Sequence, residues 1–471
     1  MLQERGLDVG GRLAILLENS LAYYDAAWAA QRSGLYYIPV NWHLTPGESE
    51  YIIEDAGAQA LVTSVALLET VGVVASHLES PAVTLVTGPP VEDWDSFEAA
   101  VDRELDAHGD EPVTNDVEGS FMFYSSGTTG RPKGIKRAIS RDPFGTRQPG
   151  MDILQNVFAF DSDTVYLCPA PLYHAAPLGW SMATQRLGGT VVLMERFEPV
   201  EMLRLIERYK VTHIQVVPTM FVRLLKLPEE QRAEFDLSSL KTVVHAAAPC
   251  PNEVKERMLD WWGPIIWEYY AGSEGTSFCI IGPDEWRSHR GSVGRNLMGA
   301  VHILDEDGDP LPNGSIGTVW FEDAPNFEYH NDPDKTASAF NDRGWTTLGD
   351  LGAIDDDGYL YLSDRRTDLI VSGGANIYPR EIEDVLIVHP GVKDVAVIGV
   401  YDEELGQRVL AVVTPADSQQ AGPEFAMELQ DYCRGRLARY KCPRQIEFDD
   451  DLPRLPTGKL AKRLLRDRYP A

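Results

Sequence analysis

The chain has 471 residues, of which 44% are apolar and 24% are charged, with 42 lysines and arginines against 72 aspartates and glutamates. This apolar content excludes an intrinsically disordered chain. The formal net charge of −30 argues against nucleic-acid or anionic-membrane partners, which bind basic surfaces. The five cysteines show neither C-x-x-C nor zinc-ligand spacing, which indicates a reducing, cytoplasmic compartment. No apolar run reaches the roughly 18 residues of a membrane-spanning helix, so we expect a protein that is not integral to a membrane.

The first two-thirds of the chain alternates helix and strand patterns. Residues 47–58 predict a helix, and residues 60–64 predict the strand that follows. Residues 199–209 and 212–217 repeat this order with a second helix and a second β-branched strand. Such alternation is typical of parallel β/α units whose strands are buried on both faces.

After about residue 290 the pattern changes to short strands separated by acidic, glycine-containing turns. The candidate strands are residues 301–304, 318–321, 345–350 and 359–362. Hairpins have this pattern, so we expect a small antiparallel region there.

The last hundred or so residues resemble a separate module that begins near Asp364. Residues 379–387 predict a helix, and residues 394–400 and 409–413 predict two strands. Pro423 can open a further helix, because proline is favoured in the first helical turn. The residues at helical spacing after it are Phe425, Leu429, Cys433 and Leu437.

A loop rich in Ser, Thr and Gly follows an apolar run within residues 121–134. Glycines allow the backbone to approach a ligand closely, and hydroxyls, loop amides and Lys133 can surround phosphate oxygens. The composition alone is equally compatible with a flexible surface loop. The loop is not a Walker A motif, because Lys133 follows Pro132 rather than glycine.

Residues 124–134, Tyr-Ser-Ser-Gly-Thr-Thr-Gly-Arg-Pro-Lys-Gly, closely resemble the phosphate-binding signature of the adenylate-forming superfamily. That superfamily includes acyl-CoA synthetases, peptide-synthetase adenylation domains and firefly luciferase. The resemblance covers nearly the whole chain, because further signatures follow in the expected order. It implies a set of phosphate-binding residues: Ser125, Ser126, Gly127, Thr128, Thr129, Gly130 and Lys133.

Residues 269–274, Tyr-Tyr-Ala-Gly-Ser-Glu, resemble the second signature. The resemblance implies that Tyr270 stacks on adenine and that Ser273 contacts the α-phosphate. It also implies that Glu274 binds magnesium, a hard cation that prefers carboxylate oxygen. Ala271 departs from the usual glycine. Taken alone, the segment is more typical of a buried aromatic pair near a strand end.

Residues 344–350, Gly-Trp-Thr-Thr-Leu-Gly-Asp, resemble the third signature, in which Asp350 accepts hydrogen bonds from the ribose hydroxyls. Leu348 departs from the usual threonine. A solvated aspartate on a hairpin is the ordinary alternative. A looser match at residues 245–249 implies a strand end beside adenine and the acyl pocket, with Ala247 at the nucleotide.

The last two signatures lie in the C-terminal module. Arg365 would reach the ribose and phosphate, Thr367 would be the hinge, and Gly373 and Gly374 would border the pantetheine tunnel. The hinge position is usually Asp or Lys, and the β-branch of threonine can stiffen it. Lys459 resembles the catalytic lysine that bridges the carboxylate and the α-phosphate. An ordinary linker and a solvated terminal lysine are the alternatives without the resemblance.

The acid-binding pocket is the least defined part of the resemblance. His174 matches an active-site histidine, although a lone histidine can equally be a satisfied core residue. Tyr173, Trp180, His245 and Tyr269 are expected near the acyl group. The bulk of Trp180 and Tyr269 would favour a short, aryl or alicyclic acid. The alternative, equally compatible with the sequence, is that both rings pack in the core and a chain threads past them.

The resemblance implies an α/β fold with a large N-terminal domain of parallel β/α units and a small antiparallel β region. The expected boundaries are residues 1–363 for that domain, 364–368 for the hinge and 369–471 for a small, mobile α+β C-terminal domain. Relatives usually carry additional N-terminal residues, so the chain is expected to begin late.

The implied activity is that of an acyl-CoA synthetase, an acid–thiol ligase with ATP, Mg²⁺ and coenzyme A. The carboxylate would attack the α-phosphate of ATP, and a thiol would then displace AMP from the acyl-adenylate. One alternative passes the acyl group to a carrier protein. Another is a relative that retains one half-reaction or only nucleotide binding.

Overall fold

The computed structural model describes residues 1–75, 78–79, 83–92, 94–109, 117–125, 132–146, 149–365, 368–454 and 460–469, with only the backbone at residues 73, 74, 125, 149, 364 and 365. The chain folds into two compact units that interleave along the sequence. The first unit consists of Met1–Gln215, Glu230–Val243 and Asn326–Ser338. The second consists of Val216–Glu229, Val244–Pro325 and Ala339–Ala471. The hinge and domain boundaries expected from the sequence stay predictions.

The strands of the described part of the chain are β1 Arg12–Leu16, β2 Tyr36–Pro39, β3 Ala60–Ser64, β4 Val83–Thr87, β5 Asp95–Ser96, β6 Ser120–Ser125, β7 Lys133–Lys136, β8 Val165–Cys168, β9 Thr190–Leu193, β10 His213–Val216, β11 Thr242–His245, β12 Ile266–Tyr270, β13 Cys279–Ile281, β14 Arg295–Asn296, β15 Val301–Leu304, β16 Gly317–Phe321, β17 Glu328–Tyr329, β18 Asp350–Ile354, β19 Leu360–Arg365, β20 Ile370–Ser372, β21 Ala375–Ile377, β22 Val392–Asp402, β23 Gly406–Pro415 and β24 Gln445–Phe448.

The α-helices of the same residues are α1 Leu21–Arg32, α2 Pro46–Ala56, α3 Leu68–Val74, α4 Phe97–His108, α5 Pro149–Asn156, α6 Ala175–Arg186, α7 Pro199–Tyr209, α8 Pro218–Leu225, α9 Glu229–Arg232, α10 Asn252–Trp262, α11 Pro283–Ser288, α12 Pro333–Ser338, α13 Pro379–Ile387, α14 Pro423–Arg434 and α15 Lys462–Arg466. None of these helices is long and apolar enough to cross a membrane.

The first unit contains a twisted sheet in the order β17-β7-β6-β2-β1-β3-β4-β5. The strands from β6 to β5 pair in parallel, whereas β7 runs antiparallel to both β6 and β17. All four residues of β2 are buried, as are all but the first residue of β1. Burial on both faces matches the continuous apolar runs from which parallel β/α units were predicted.

Local signals fix the helices that cover this sheet. Helix α2 begins with a capping box in which the Thr45 side chain accepts from the Glu48 amide while Glu48 accepts from the Thr45 amide. It ends at Gly57, whose φ of +59° suits a left-handed cap. The predicted strand 60–64 and helix 199–209 are confirmed at both of their ends.

The strand pairs of the second unit are mostly antiparallel. Strands β12, β13 and β14 pair in that order, and β15-β16-β18-β19 form a separate sheet. The C-terminal part adds β21-β20-β23-β22, with β24 parallel to β23. The predicted antiparallel region after residue 290 is confirmed by the second of these sheets.

Two local predictions are wrong. Residues 345–350 were expected to form one strand, but β18 begins only at Asp350. Gly344 and Gly349 have φ values of +77° and +78°, which an extended strand does not allow. Leu437 was expected on a helix with Phe425, but α14 ends at Arg434, and Leu437 packs on the same core from the loop that follows.

The fold class is confirmed. The protein is a mixed α/β protein with parallel strands in its N-terminal half and mainly antiparallel sheets after β12. Helices α13 and α14 cover one face of the C-terminal sheet, where Ile382, Leu386 and Leu429 are fully buried, and Leu465 of α15 packs on the opposite face.

Candidate active site

The segment after strand β12 forms a tight turn whose shape requires glycine. The Gly275 amide donates to the Gly272 carbonyl at 3.0 Å, and Gly275 has a φ of +70°. A Cβ atom at Gly272 would lie 2.6 Å from Glu274 Oε2 and 2.7 Å from Leu348 Cδ2, closer than such atoms can pack. The turn is therefore closed onto the loop before β18, with Ser273 between the glycine and the carboxylate.

A short hydrogen bond joins the ends of two strands beside this turn. The hydroxyl of Tyr270, the last residue of β12, donates to Asp350 Oδ2 at 2.6 Å. Asp350 is the first residue of β18. The Tyr270 ring is half-buried and packs on Phe321, with ring centroids 6.2 Å apart. The structure thus brings together the second and third signatures, which are separated by about seventy residues of sequence.

This arrangement suits a nucleoside followed by phosphates. An aromatic face can stack on a base, and a carboxylate can accept from neighbouring hydroxyls. The Glu274 carboxylate, on the turn that follows Tyr270, adds the hard oxygen ligands that Mg²⁺ prefers.

Lys133, the lysine at the end of the predicted phosphate loop, is the first residue of β7 in the first unit. Its ammonium lies 3.3 Å from Asp332 Oδ2, and its side chain is largely buried. The next residue, Gly134, packs against Tyr124: a Cβ there would lie 3.0 Å from the Tyr124 ring. Tyr124 in turn donates to Asp55 Oδ2 at 2.7 Å, so the base of the loop is held by a side-chain network.

The segment that follows strand β11 contains a backbone outlier. Ala247 is exposed and has a φ of +71°, a left-handed conformation that favours glycine. His245, the last residue of β11, is fully buried, and burial lowers its pKa to about 3. It is therefore neutral at physiological pH. Neither ring nitrogen of His245 forms a hydrogen bond with the described residues.

A buried ion pair below this strand end was not foreseen from the sequence. Lys255 on α10 donates to Glu268 Oε2 on β12 at 2.6 Å, and both residues are buried. His245 Nε2 lies 3.4 Å from the same oxygen, and the Lys255 ammonium lies 4.8 Å from the centre of the Trp286 ring. Burial by itself raises the pKa of Glu268, but the charge and the hydrogen bond of Lys255 outweigh burial, so the pKa is lowered.

One sequence signal could have found this pair. The neighbours of Lys255 on the buried face of α10 are Val254, Met258 and Leu259, so the lysine points inward with them. A lysine on an apolar helix face needs a buried partner. Glu268, an inward-facing acid on a strand two residues before Tyr270, supplies it.

The aromatic residues of the predicted acid pocket all have ring neighbours. Trp180 is buried on α6, with ring centroids 5.2 Å from Phe158 and 5.6 Å from Phe160. In the second unit, Tyr269 stacks on Phe278 at 4.9 Å with an interplanar angle of 6°. These contacts support the alternative in which both rings pack in the core.

His174 lies immediately before helix α6, at its N-cap position. Its ring is 4.6 Å from that of Tyr173, which lies 6.4 Å from His43. The predicted His174 and Tyr173 therefore share one aromatic cluster in the first unit.

The glycine pair of the fourth signature forms a hairpin turn. Gly373 and Gly374, with φ values of +57° and +81°, connect β20 to β21, whose Ser372 and Ala375 are paired. Two positive φ values are what a two-residue primed turn requires, which explains both glycines.

The remaining predicted residues lie outside the described side chains. Ser125 and Arg365 are described only by their backbones, as the last residues of β6 and β19. The other residues outside the described part of the chain are Ser126, Gly127, Thr128, Thr129, Gly130, Thr367 and Lys459.

Two parts of the chain match models of known protein families. Residues 1–327 match the model described as AMP-binding enzyme, and residues 381–459 match the AMP-binding enzyme C-terminal domain. The chain belongs to the AMP-binding enzyme family. The resemblance to the adenylate-forming superfamily is therefore confirmed.

Curated relatives align with this AMP-binding enzyme over almost its whole length. The long-chain-fatty-acid–CoA ligase FadD13 of Mycobacterium tuberculosis is 31% identical, covering 100% of this chain and 90% of the relative. A feruloyl-CoA synthase of an Amycolatopsis species is 33% identical over 99% of this chain and 91% of its own. The fatty acid–[acyl-carrier-protein] ligase ScoC of Streptomyces coeruleorubidus is 32% identical over 99% and 88%.

Among solved structures, ATP-bound MatB from Rhodopseudomonas palustris is similar, with a TM-score of 0.82 and 30% identity. The similarity covers 99% of this chain and 90% of that one. The expectation of an ATP-dependent ligase of the acyl-CoA synthetase class is confirmed, whereas the roles of the individual residues stay predictions.

Replacing Lys255 by Met should destabilise this AMP-binding enzyme by about 3–5 kcal/mol, because Glu268 would remain buried without its counter-charge. The double variant Lys255→Met/Glu268→Leu should recover most of that loss, since it removes both charges together. Urea denaturation measures the free energy of unfolding. Lys210→Met breaks the exposed pair with Asp236 and should cost less than about 1 kcal/mol. An equally small loss for Lys255→Met would contradict a stability role for the buried pair.

The Ala247→Gly variant should be about 1–2 kcal/mol more stable than Ala248→Gly. Both substitutions increase the entropy of the unfolded chain equally, but only the first removes the strain of a Cβ at positive φ. Ala248 is a matched control, because it is the next residue, is also exposed and lacks a positive φ. Equal free energies of unfolding for the two variants would show that Ala247 is unstrained in solution.

Proposed function

We propose that this AMP-binding enzyme is an acyl-CoA synthetase that uses ATP to activate a carboxylic acid and transfers the acyl group to coenzyme A. The observation that supports this most is the hydrogen bond between Tyr270 and Asp350. It places two nucleotide-binding signatures side by side in a chain that matches both domains of the family.

The nucleotide would lie along the end of β12. Tyr270 stacks on the adenine, Asp350 accepts from the ribose hydroxyls, and Ser273 donates to the α-phosphate. Ala247 supports this assignment, because a strained backbone conformation often marks a ligand contact. Arg365, whose backbone ends strand β19, would reach the ribose and phosphate from the C-terminal side.

The residues present fit a magnesium ion. The Glu274 carboxylate lies beside the Cα of Gly272 at this turn, where the absence of a Cβ leaves space for its oxygen. A magnesium ion bound there would neutralise phosphate charge. Its ligand from the chain would be Glu274, with substrate phosphate oxygens as the remaining partners.

The first step joins two anions, so the chain must supply positive charge. A carboxylate oxygen forms a bond to the α-phosphorus, and the bond to the bridging oxygen of pyrophosphate breaks. Lys133, with the hydroxyls and amides of the phosphate loop, stabilises the departing pyrophosphate, and Lys459 bridges the carboxylate and the α-phosphate. Fixed cations and loop donors lower the barrier because they need no reorganisation during the reaction.

In the second step the thiol of coenzyme A loses its proton and its sulfur bonds to the acyl carbon, while the bond from that carbon to the AMP oxygen breaks. We propose that Thr367 is the hinge that withdraws Lys459 between the steps, and that the hairpin of Gly373 and Gly374 then borders the thiol. Reuse of one site by rotation of the smaller domain is a gating motion of the kind seen in many enzymes.

The acid is the least constrained substrate. Because Trp180 packs on Phe158 and Phe160, we propose that it forms core rather than the end of the pocket. Two relatives of similar identity are named for a long-chain fatty acid and for ferulate, so their names do not select a chain length. His174 and Tyr173 would line the entry of the acid.

A carrier protein is the second candidate for the thiol. The relative ScoC, named as a carrier-protein ligase, supports this reading with an identity close to that of the CoA ligases.

A cytoplasmic location stays a prediction from the sparse cysteines.

A panel of short, long-chain and aryl acids, assayed for AMP and pyrophosphate release with and without coenzyme A, tests the proposal. We expect acid-dependent AMP release and a CoA thioester as the product. Thioester formed only on adding a phosphopantetheinylated carrier would support the second candidate instead.

Trp180→Ala should leave the range of accepted acids unchanged if the ring packs in the core. A broader range of accepted acids would assign Trp180 to the pocket.

The same assay tests the catalytic lysine. Lys459→Ala should lower the rate of acid-dependent pyrophosphate release by about 10²–10³-fold, the usual effect of removing one transition-state donor. Lys393→Ala, which alters an exposed lysine of the same module, is the control and should have no effect. An unchanged rate for Lys459→Ala would refute its assignment.

A further inference from the structure

The ammonium of Lys133 already has an anionic partner in the chain. Lys133 Nζ lies 3.3 Å from Asp332 Oδ2, and the side chains are 16% and 37% exposed. Strand β7, which begins at Lys133, is paired with β17, and Asp332 follows β17 after two residues. The pair therefore lies at the base of the loop to which pyrophosphate binding is assigned.

The two carboxylate oxygens of Asp332 have separate roles. Oδ1 accepts from the Lys335 amide at 2.9 Å, which caps the short helix α12, while Oδ2 faces Lys133. The amide of Lys335 and then the ammonium of Lys133 hold the pKa of Asp332 below its ordinary value. Asp332 is thus ionised at physiological pH.

We propose that Asp332 is the resting counter-ion of Lys133. Its carboxylate forms an ion pair with the Lys133 ammonium when no phosphate is bound, and the ion pair forms again when pyrophosphate leaves. The inference rests on the proposed function, because it assumes that Lys133 binds a phosphate of ATP. The role concerns binding and release, and Asp332 takes no part in bond making.

The backbone of Lys133 is held independently of the Asp332 side chain. It is fixed by strand pairing with Ser125 of β6, and the neighbouring Gly134 carbonyl accepts from the His330 amide at 2.7 Å. Removing the Asp332 charge therefore leaves the lysine backbone in place and removes a competitor for its ammonium. Removing the Asp332 carboxylate should therefore increase the affinity of the site for phosphates.

The exchange is energetically accessible. Partly exposed ion pairs contribute little to stability, so a phosphate that carries more charge than a carboxylate can displace Asp332. Since Asp332 also repels phosphates, it lowers their affinity and assists the release of pyrophosphate. The same reasoning predicts that salt screens the effect, because Asp332 is partly exposed.

The test is calorimetric binding of magnesium pyrophosphate and MgATP to Asp332→Asn. Asparagine caps helices as well as aspartate does, so this variant removes the charge and keeps the cap of α12. We expect both ligands to bind about two- to fivefold more tightly than to the wild type, which corresponds to about 0.4–1 kcal/mol. The gain should shrink in about 1 M salt, where the screening length falls to about 3 Å.

Glu328→Gln is the matched control. Glu328 pairs with Lys136 at 3.0 Å on the same two strands, so this variant also removes one partly exposed carboxylate from one lysine. It should leave both affinities unchanged. Asp332→Ser, which also retains a capping oxygen, should reproduce the gain if Asp332→Asn folds poorly.

Unchanged or weaker binding in both Asp332 variants would overturn the counter-ion role, and so would an equal gain in Glu328→Gln. A wild-type protein that binds neither MgATP nor pyrophosphate would overturn the proposed function and the counter-ion together. Wild-type binding without a gain in the variants would overturn the counter-ion alone.

Discussion

The hydrogen bond from Tyr270 to Asp350 is the constraint on which the candidate site depends. It joins the end of β12 to the start of β18 and holds the turn around Gly272 against the loop before β18. Without it, the ring and the carboxylate would be two polar groups at the ends of separate strands. Joined, they form one surface with an aromatic face and oxygen acceptors, which is the chemistry that a nucleoside requires.

Strand β12, which carries Tyr270, is held by the buried ion pair between Lys255 and Glu268. Glu268 is ionised within the protein because Lys255 lies 2.6 Å away, and the neutral His245 fills the remaining space beside it. A buried pair of this kind is costly to form and more costly to break. It therefore favours one position of β12 relative to α10, and with it one position of the turn that follows Tyr270.

Whether this protein can bind phosphates depends more on how its individual charges are paired than on its net charge. A chain with a formal charge of −30 is expected to repel phosphates, yet the family to which it belongs binds them. At the base of the predicted phosphate loop, Lys133 is paired with Asp332, so its charge is balanced within the chain. An acidic net charge and the proposed anion-binding site are compatible, because the proposed compensation is local.

Sequence patterns defined the regular elements well and the connections poorly. The buried strand 60–64 and the helix 379–387 lie where their apolar periodicity places them, because burial decides both pattern and structure. The expected strand 345–350 is wrong, because the pattern of apolar residues does not show which glycines adopt a positive φ. The signatures named Tyr270 and Asp350 as site residues, but their hydrogen bond depends on the packing of two different sheets.

The pair of Lys255 and Glu268 was missed for a related reason. Neither residue belongs to a signature, and the apolar face around Lys255 on α10 predicts a buried partner without saying which acid supplies it. Their pairing follows only once α10 is packed on β12.

The most direct test of the nucleotide site is the affinity for AMP, measured by calorimetry, of the wild type, Asp350→Ala and Asp357→Ala. Asp357 is an exposed acid in the turn between β18 and β19, so its removal changes the net charge equally but leaves the site intact. A site built on Tyr270 and Asp350 predicts an affinity about 10–100-fold lower for Asp350→Ala, as lost hydrogen bonds to a charged group imply, and no change for Asp357→Ala. Equal AMP affinities for a folded Asp350→Ala protein and the wild type would contradict it.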